Sequence, residues 1–181
     1  MIKSMMDSER EAALRVADLM VTAAITAPKG SGKDTVRAAV LTGDDKKHLA
    51  EIMRQIGTEN KEEFYLRDAD NIDSSHCIVI IGCISKSFGL PNCGNCGFKN
   101  CAEMEKAGAR CAFNVTDLGI AIGSAVSIAA DNRIDNRVLY SAGKAANRLA
   151  ILDDVNLYYG IPLSTTSKSI FFDRNPEAVS F

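Results

Sequence analysis

The sequence predicts an α+β fold, on three observations. The segment Cys77–Cys83 is short, apolar and unbroken, as in a strand buried on both faces. Several other segments carry apolar residues at helical spacing. No stretch reads as a linker, an internal repeat or a low-complexity tract, so 181 residues make a single domain, 1–181. Roughly five helices and three or four strands are expected.

Ser8 and Glu11 have the spacing of a capping box. Apolar positions then run through Val16, Leu19, Met20 and Ala23, which predicts a helix ending before Pro28. Val36–Leu41 is short and partly β-branched, a strand. Asp44 or Asp45 caps the next helix, whose core face is Leu49, Ile52, Met53 and Ile56 and whose stop is Gly57. A polar helical segment over about 61–69 follows, then the central strand Cys77–Cys83. After a cysteine-rich loop, Thr116 or Asp117 caps a helix reaching about Ala130. Ala142, Ala145, Ala146 and Leu149 mark a further helix, and 155–172, broken by Gly160 and Pro162, is extended.

Composition excludes some function classes. With 46% hydrophobic and 24% charged residues and a net charge of −2, the chain lacks the basic balance that captures nucleic acid or an anionic membrane. Its longest apolar stretch, Leu118–Ala130, is too short to span a bilayer, and the first ten residues lack the apolar core of a signal peptide. The expected location is cytoplasmic. In that reducing setting six cysteines point to metal or redox work rather than to structural disulfides.

Lys29-Gly-Ser-Gly-Lys-Asp-Thr35 superficially matches a phosphate loop. Ala27 stands where the first glycine belongs, and Asp34 where a magnesium-binding hydroxyl belongs. A helix precedes the loop where a strand is required. The stretch reads as a turn between helix and strand, in which Lys29 and Lys33 have only charge to offer a phosphate.

The chemistry lies between 91 and 113. Cys93, Cys96, Cys101 and Cys111 are separated by two, four and nine residues. A C-x-x-C turn supplies two thiolates from one loop, and Gly94 and Gly97 remove side chains where an inorganic core approaches the backbone. Cys101 falls at the start of a short helix, where the dipole favours a thiolate. Four thiolates without histidine fit a 4Fe–4S cluster. A four-cysteine zinc site is the rival, followed by a redox dithiol at Cys93 and Cys96 and by unliganded turn cysteines. Cys77 and Cys83 read as small core residues, although Cys83, at the strand end, is a substitute for Cys111 as the fourth ligand. Lys99, Lys106 and Arg110 lie near enough in sequence to offset a cluster's negative charge.

Cys93-Gly-Asn-Cys-Gly-Phe-Lys-Asn-Cys101 resembles the C-G-x-C-G-[FY]-x-x-C core of the 4Fe–4S domain of corrinoid iron–sulfur proteins and electron-transport subunits. The chain resembles more closely a prokaryotic family described as containing a ferredoxin domain. That resemblance is carried by the cysteine core, Cys111-Ala-Phe-Asn114, Asp117-Leu-Gly-Ile-Ala-Ile-Gly-Ser-Ala125, Ile134-Asp-Asn-Arg137, Gly160-Ile-Pro-Leu-Ser164, Phe171-Phe-Asp-Arg174 and Ala27-Pro-Lys-Gly30. It implies Cys93, Cys96 and Cys101 as ligands. At the longer last spacing of the better-known domains this chain has Leu118, so Cys111 rests on its local match. The flanking segments are similar to the FMN-dependent nitroreductase fold, which implies a three-layer sheet with packed helices, the cysteine-rich loop inserted into it, and a homodimer with flavin at the interface. The arginine–serine–arginine element that holds the FMN phosphate is missing, and Arg10 alone does not replace it. FMN is therefore an optional second cofactor.

Other residues fit structural roles. Gly119 and Gly123 allow a backbone to approach, by helix packing or at a dimer contact. Asp131-Asn-Arg133 and Asp135-Asn-Arg137 read as a charged connection, with anion recognition as the alternative. Lys168, Phe171, Phe172, Asp173 and Arg174 line a pocket or belong to an edge strand. His48 and His76 have no partner pattern. The function expected is one-electron transfer by an iron–sulfur protein, with a flavin-linked oxidoreductase as its extension. A non-enzymatic binding or accessory protein with a structural cluster or zinc site is the alternative. The redox partner is not named by any residue pattern.

Overall fold

The computed structural model describes residues 2–172. Helix α1 (Met5–Thr26) is capped by Ser4, whose hydroxyl accepts from the Asp7 N–H, so the cap lies one turn before the predicted Ser8. Ser8 instead donates to the Ser4 carbonyl from inside the helix. The buried face is Ala13, Val16, Ala17, Met20 and Ala24, while Leu19 is exposed. Strand β1 (Val36–Leu41) has its predicted bounds.

Helix α2 (Gly43–Asn60) carries Asp44 and Asp45 in its first turn, where they favour the dipole's positive end. It passes through Gly57 without stopping and ends at Lys61, which is in the left-handed region (φ 59°). Packing is what keeps Gly57 small. A Cβ there would lie 2.9 Å from Tyr65 Cβ and 3.1 Å from the Glu62 carbonyl oxygen, in helix α3 (Glu63–Asp73) and the turn before it. Strand β2 (Cys77–Cys83) is followed by a long loop, the short helix α4 (Cys101–Lys106) and helix α5 (Ala112–Asp131). Two-residue strand β3 (Asp135–Asn136), helix α6 (Tyr140–Arg148) and strand β4 (Leu157–Ser164) complete the fold.

The sheet order is β1-β2-β4-β3, every neighbouring pair antiparallel. Strand β2 is central and buried throughout. Its alternation separates two cores. Cys77, Val79, Ile81 and Cys83 pack with α1 and α5, and Ile78 and Ile80 pack with α2, α3 and α6. Helices thus cover both faces, which is the expected three-layer arrangement. Each large side chain fully buried here contributes about 1.5–3 kcal/mol.

Strand β4 runs through both residues expected to break it. Gly160 exchanges backbone hydrogen bonds with Leu139, on the side away from β2. Pro162, two residues on, therefore lacks its N–H toward that side, where β3 pairs only with Leu163 and Ser164. Small residues then bring α6 onto β4: a Cβ on Gly143 would overlap the Tyr158 carbonyl, 2.6 Å from its carbon.

Helix α5 begins five to six residues earlier than predicted, with Cys111 as its N-cap residue. At 20 residues it is long and apolar enough, by composition alone, to cross a membrane. Only part of it is buried: Leu118, Ala121, Ile122, Ala125 and Ala129 face the core, and Val115 and Ile120 are exposed. A Cβ on Gly119 or Gly123 would meet nothing within 4 Å, so among the described residues no backbone uses the access they give.

Candidate metal centre

The loop between β2 and α5 folds on its own small apolar cluster of Phe88, Met104 and Cys111, with Cys96, Phe98, Ala109 and Phe113 packed against it. Two glycines follow the first two cysteines because the backbone there is left-handed: Gly94 has φ 62° and Gly97 φ 84°. The Gly97 N–H donates to the Gly94 carbonyl (2.9 Å) and closes the turn that carries Cys96. Asn100 caps α4, accepting from the Glu103 N–H at 3.0 Å, so Cys101 is the first helical residue. Cys111 is the N-cap residue of α5. Two of the four cysteines thus sit at helix N-termini, where unpaired N–H groups and the dipole favour an anionic sulfur.

Cys93, Cys96, Cys101 and Cys111 all line one cavity of about 100 Å³, walled by Phe88, Phe98, Met104 and Phe113. Cys111 is buried and the other three are partly exposed. Among the described residues, no three His, Cys, Asp or Glu side chains converge closely enough to hold a single metal ion. The sulfurs surround a space. Their chemistry fits a polynuclear iron–sulfur core, whose irons take separate thiolates.

Cys83 lies outside this cavity. It packs at 1% exposure in the core between β2, α1 and α5, where burial pushes its thiol up to about 11. Cys77, at the other end of β2, is likewise pushed up to about 12 by burial, against a smaller opposing pull from Lys46. Of the basic residues flanking the loop, Lys99 lines the cavity. Arg110 is committed elsewhere, donating to the Asn156 side chain (2.6 Å) and carbonyl (2.8 Å) ahead of β4. Lys106 closes α4.

Several ties that hold this loop carry no sequence signature. Phe88 stacks on Phe113 with centroids 5.1 Å apart. Lys33 donates to the Phe88 carbonyl (3.2 Å), and its ammonium stands 5.2 Å from that ring's centre. Asp117, buried in α5, accepts from the Gly30 N–H with both carboxylate oxygens. Buried Asn114 accepts from the Lys86 N–H (3.0 Å) and donates to the Thr35 hydroxyl (3.5 Å). Lys29 caps the end of α1 through the carbonyls of Ala24, Ile25 and Ala27, which leaves this buried lysine no part in a phosphate loop. Only the chain-distant geometry reveals these contacts.

The remaining residues singled out by sequence have structural partners. Arg137 donates to the Phe171 carbonyl and lies 5.3 Å from the centre of the Phe172 ring. His48 pairs with Glu51, and His76 with Thr165. Phe171 is fully buried, while Asp173 and Arg174 lie outside the described residues.

The fold is nitroreductase-like and carries a cysteine-lined loop. A nitroreductase with bound FMN from Desulfitobacterium hafniense superposes with a TM-score of 0.57 at 14% identity, over 92% of this chain and 86% of that one. A putative NADH dehydrogenase/NAD(P)H nitroreductase from Bacteroides thetaiotaomicron gives 0.56 at 13%, over 92% and 83%. At such identities the similarity is one of fold. The chain belongs to the family of uncharacterized proteins containing a ferredoxin domain. That family matches residues 107–174, and an uncharacterized protein from Archaeoglobus fulgidus is 36% identical over 179 residues, 94% of this chain and 96% of that protein.

Proposed function

We propose that Cys93, Cys96, Cys101 and Cys111 hold a 4Fe–4S cluster and that the protein serves in one-electron transfer. The single observation that carries this reading is that all four cysteines line one cavity. A bound cluster would supply reversible one-electron chemistry. The chain's own contribution is to orient and shield. The two glycine turns present Cys93 and Cys96, and two helix N-termini present Cys101 and Cys111 with dipoles that favour their thiolates. Phe88, Phe98, Met104 and Phe113 restrict water, which together with N–H groups near sulfur sets a reduction potential. A tetrahedral zinc site with bonds of about 2.3 Å needs sulfurs roughly 3.8 Å apart. Thiols spread around a cavity serve a larger core better.

The space is too small for a flavin, since sites for such ligands run to about 300–1,000 Å³. A flavin, if this chain takes one as the nitroreductase from Desulfitobacterium hafniense does, belongs elsewhere. A homodimer meets the same reading: the exposed side of α5, with Val115 and Ile120 beside the open Gly119 and Gly123, is a surface a second copy can cover. Anaerobic purification followed by iron, labile sulfide, zinc and flavin analysis on one sample tests the proposal. About four irons and four sulfides per chain are expected. A colourless protein with one tightly held zinc would overturn it.

A further inference from the structure

A second cavity lies directly beside the cysteine loop. It measures about 300 Å³ and is lined by Lys33, Asp34, Thr35, Lys86, Ser87 and Phe88. Phe88 also lines the cysteine cavity, so the two spaces share that side chain as a wall.

Its charge is unlike that of the chain as a whole. The protein carries a net charge of −2. Here Lys33 and Lys86 line the cleft with a single carboxylate, Asp34, whose charge is partly offset from outside the lining by Lys29 (4.0 Å) and Arg37 (3.9 Å). The lining thus carries two cations and one anion. Among the described residues, the Lys86 ammonium has no hydrogen bond or ion pair with the protein. The hydroxyls of Thr35 and Ser87 add groups that bind oxyanions.

The cleft is also built in advance of any ligand. Its walls are two chain segments, 33–35 and 86–88, joined by two cross-links. Asn114, at 1% exposure, accepts from the Lys86 N–H and donates to the Thr35 hydroxyl. Lys33 donates to the Phe88 carbonyl. Fixing both walls removes an ordering cost from binding.

We propose that this cleft binds a small molecule through a phosphate or carboxylate group, holding it against Phe88 next to the cysteine cavity. The oxyanion lies between Lys33 and Lys86, with the Thr35 and Ser87 hydroxyls as further donors. The binding does not depend on the cluster; only the significance of its position rests on the proposed cluster reading.

The test uses the anaerobically purified full chain, with inorganic phosphate followed by ³¹P NMR and succinate by calorimetry. Saturable millimolar binding of either is expected, weakening as salt is raised. Tighter phosphate binding identifies a phosphorylated ligand, and tighter succinate binding a carboxylated one. Lys86→Gln, which removes that unpaired ammonium, should weaken binding about tenfold, the loss of one charge-assisted hydrogen bond. Lys144→Gln, remote from the cleft, should leave it unchanged. The proposal is overturned if neither anion binds in the millimolar range, or if Lys86→Gln binds as the native chain does. Iron and sulfide measured on the same sample keep the two readings separate. Anion binding without iron removes the cluster and leaves the cleft, and iron without anion binding does the reverse.

Discussion

Replacing Cys83 and Cys111 by serine, one at a time, separates core cysteine from ligand cysteine. Cys83 is 1% exposed among apolar side chains, and a serine hydroxyl there is left without an evident partner. An unsatisfied buried hydroxyl costs about 1–3 kcal/mol. For a chain of this length each kcal/mol moves Tm by about 2–4 °C, so a fall of about 6 °C is expected. Iron and sulfide per chain should be unchanged. The same burial argues against Cys83 as a thiolate, since lifting its thiol from the usual 9.0 to about 11 corresponds to roughly 3 kcal/mol against the ionised form. Cys111→Ser removes a sulfur from the cavity wall at the N-cap of α5, where serine is itself a good cap. The metal-free fold should lose little, while iron and sulfide fall to a small fraction of the native content. Thermal unfolding by circular dichroism, run with iron and sulfide analysis on both variants, decides the matter. Cys83→Ser protein that loses its iron at unchanged Tm, beside Cys111→Ser protein that keeps it, would refute the assignment.

Three further outcomes are expected. Both core thiols are held neutral in the fold, so the stability they contribute is complete below about pH 9 and is lost as pH rises, toward about 11 for Cys83 and about 12 for Cys77. Urea unfolding at about pH 8 and about pH 10.5 should show a decline of about 2 kcal/mol from Cys83 alone, blunted in Cys83→Ala; equal declines in both proteins would contradict this. Gly143→Ala forces α6 off β4 at the Tyr158 carbonyl and should cost about 3 kcal/mol, read as a Tm fall of about 9 °C. Gly119→Ala, by contrast, enters open space in a helix and should stabilise the monomer by about 0.5–1 kcal/mol. If α5 forms the dimer contact, the same change raises the dimer dissociation constant in analytical ultracentrifugation.

Sequence carried most of the fold because its strongest signals were local. The unbroken run Cys77–Cys83 reads as a doubly buried strand, and β1 and β2 lie at their expected bounds. What sequence misread were residues whose purpose lies across the chain. Gly57 resembles a helix stop, yet it is small because α3 packs against it. Asp117 resembles an N-cap, yet it sits mid-helix to receive the Gly30 N–H, and the true N-cap is Cys111. Pro162 resembles a strand break because pattern alone does not reveal that its missing N–H faces a nearly unpaired edge. The four cysteines were legible through spacing, whereas Phe88 and Phe113, which wall their cavity, have no spacing rule to announce them.

The start of α5 connects these observations. Cys111, Asn114 and Asp117 are spaced at three-residue intervals, so the first two turns of one helix place a cavity-lining sulfur and two buried polar groups toward the neighbouring loops. Cys111 lines the cysteine cavity, Asn114 joins the two walls of the basic cleft, and Asp117 fixes the backbone at Gly30. Gly30 has room only for hydrogen, since a Cβ would lie 2.7 Å from the Phe88 ring. Phe88 is therefore held from three directions, by Gly30 against its ring edge, Phe113 stacked on it and Lys33 at its carbonyl. A ring held so firmly makes a fixed partition between the two cavities. The geometry that shields the proposed cluster and the geometry that shapes the proposed anion cleft thus depend on the same helix end, which explains why buried polar residues are kept in an otherwise apolar helix.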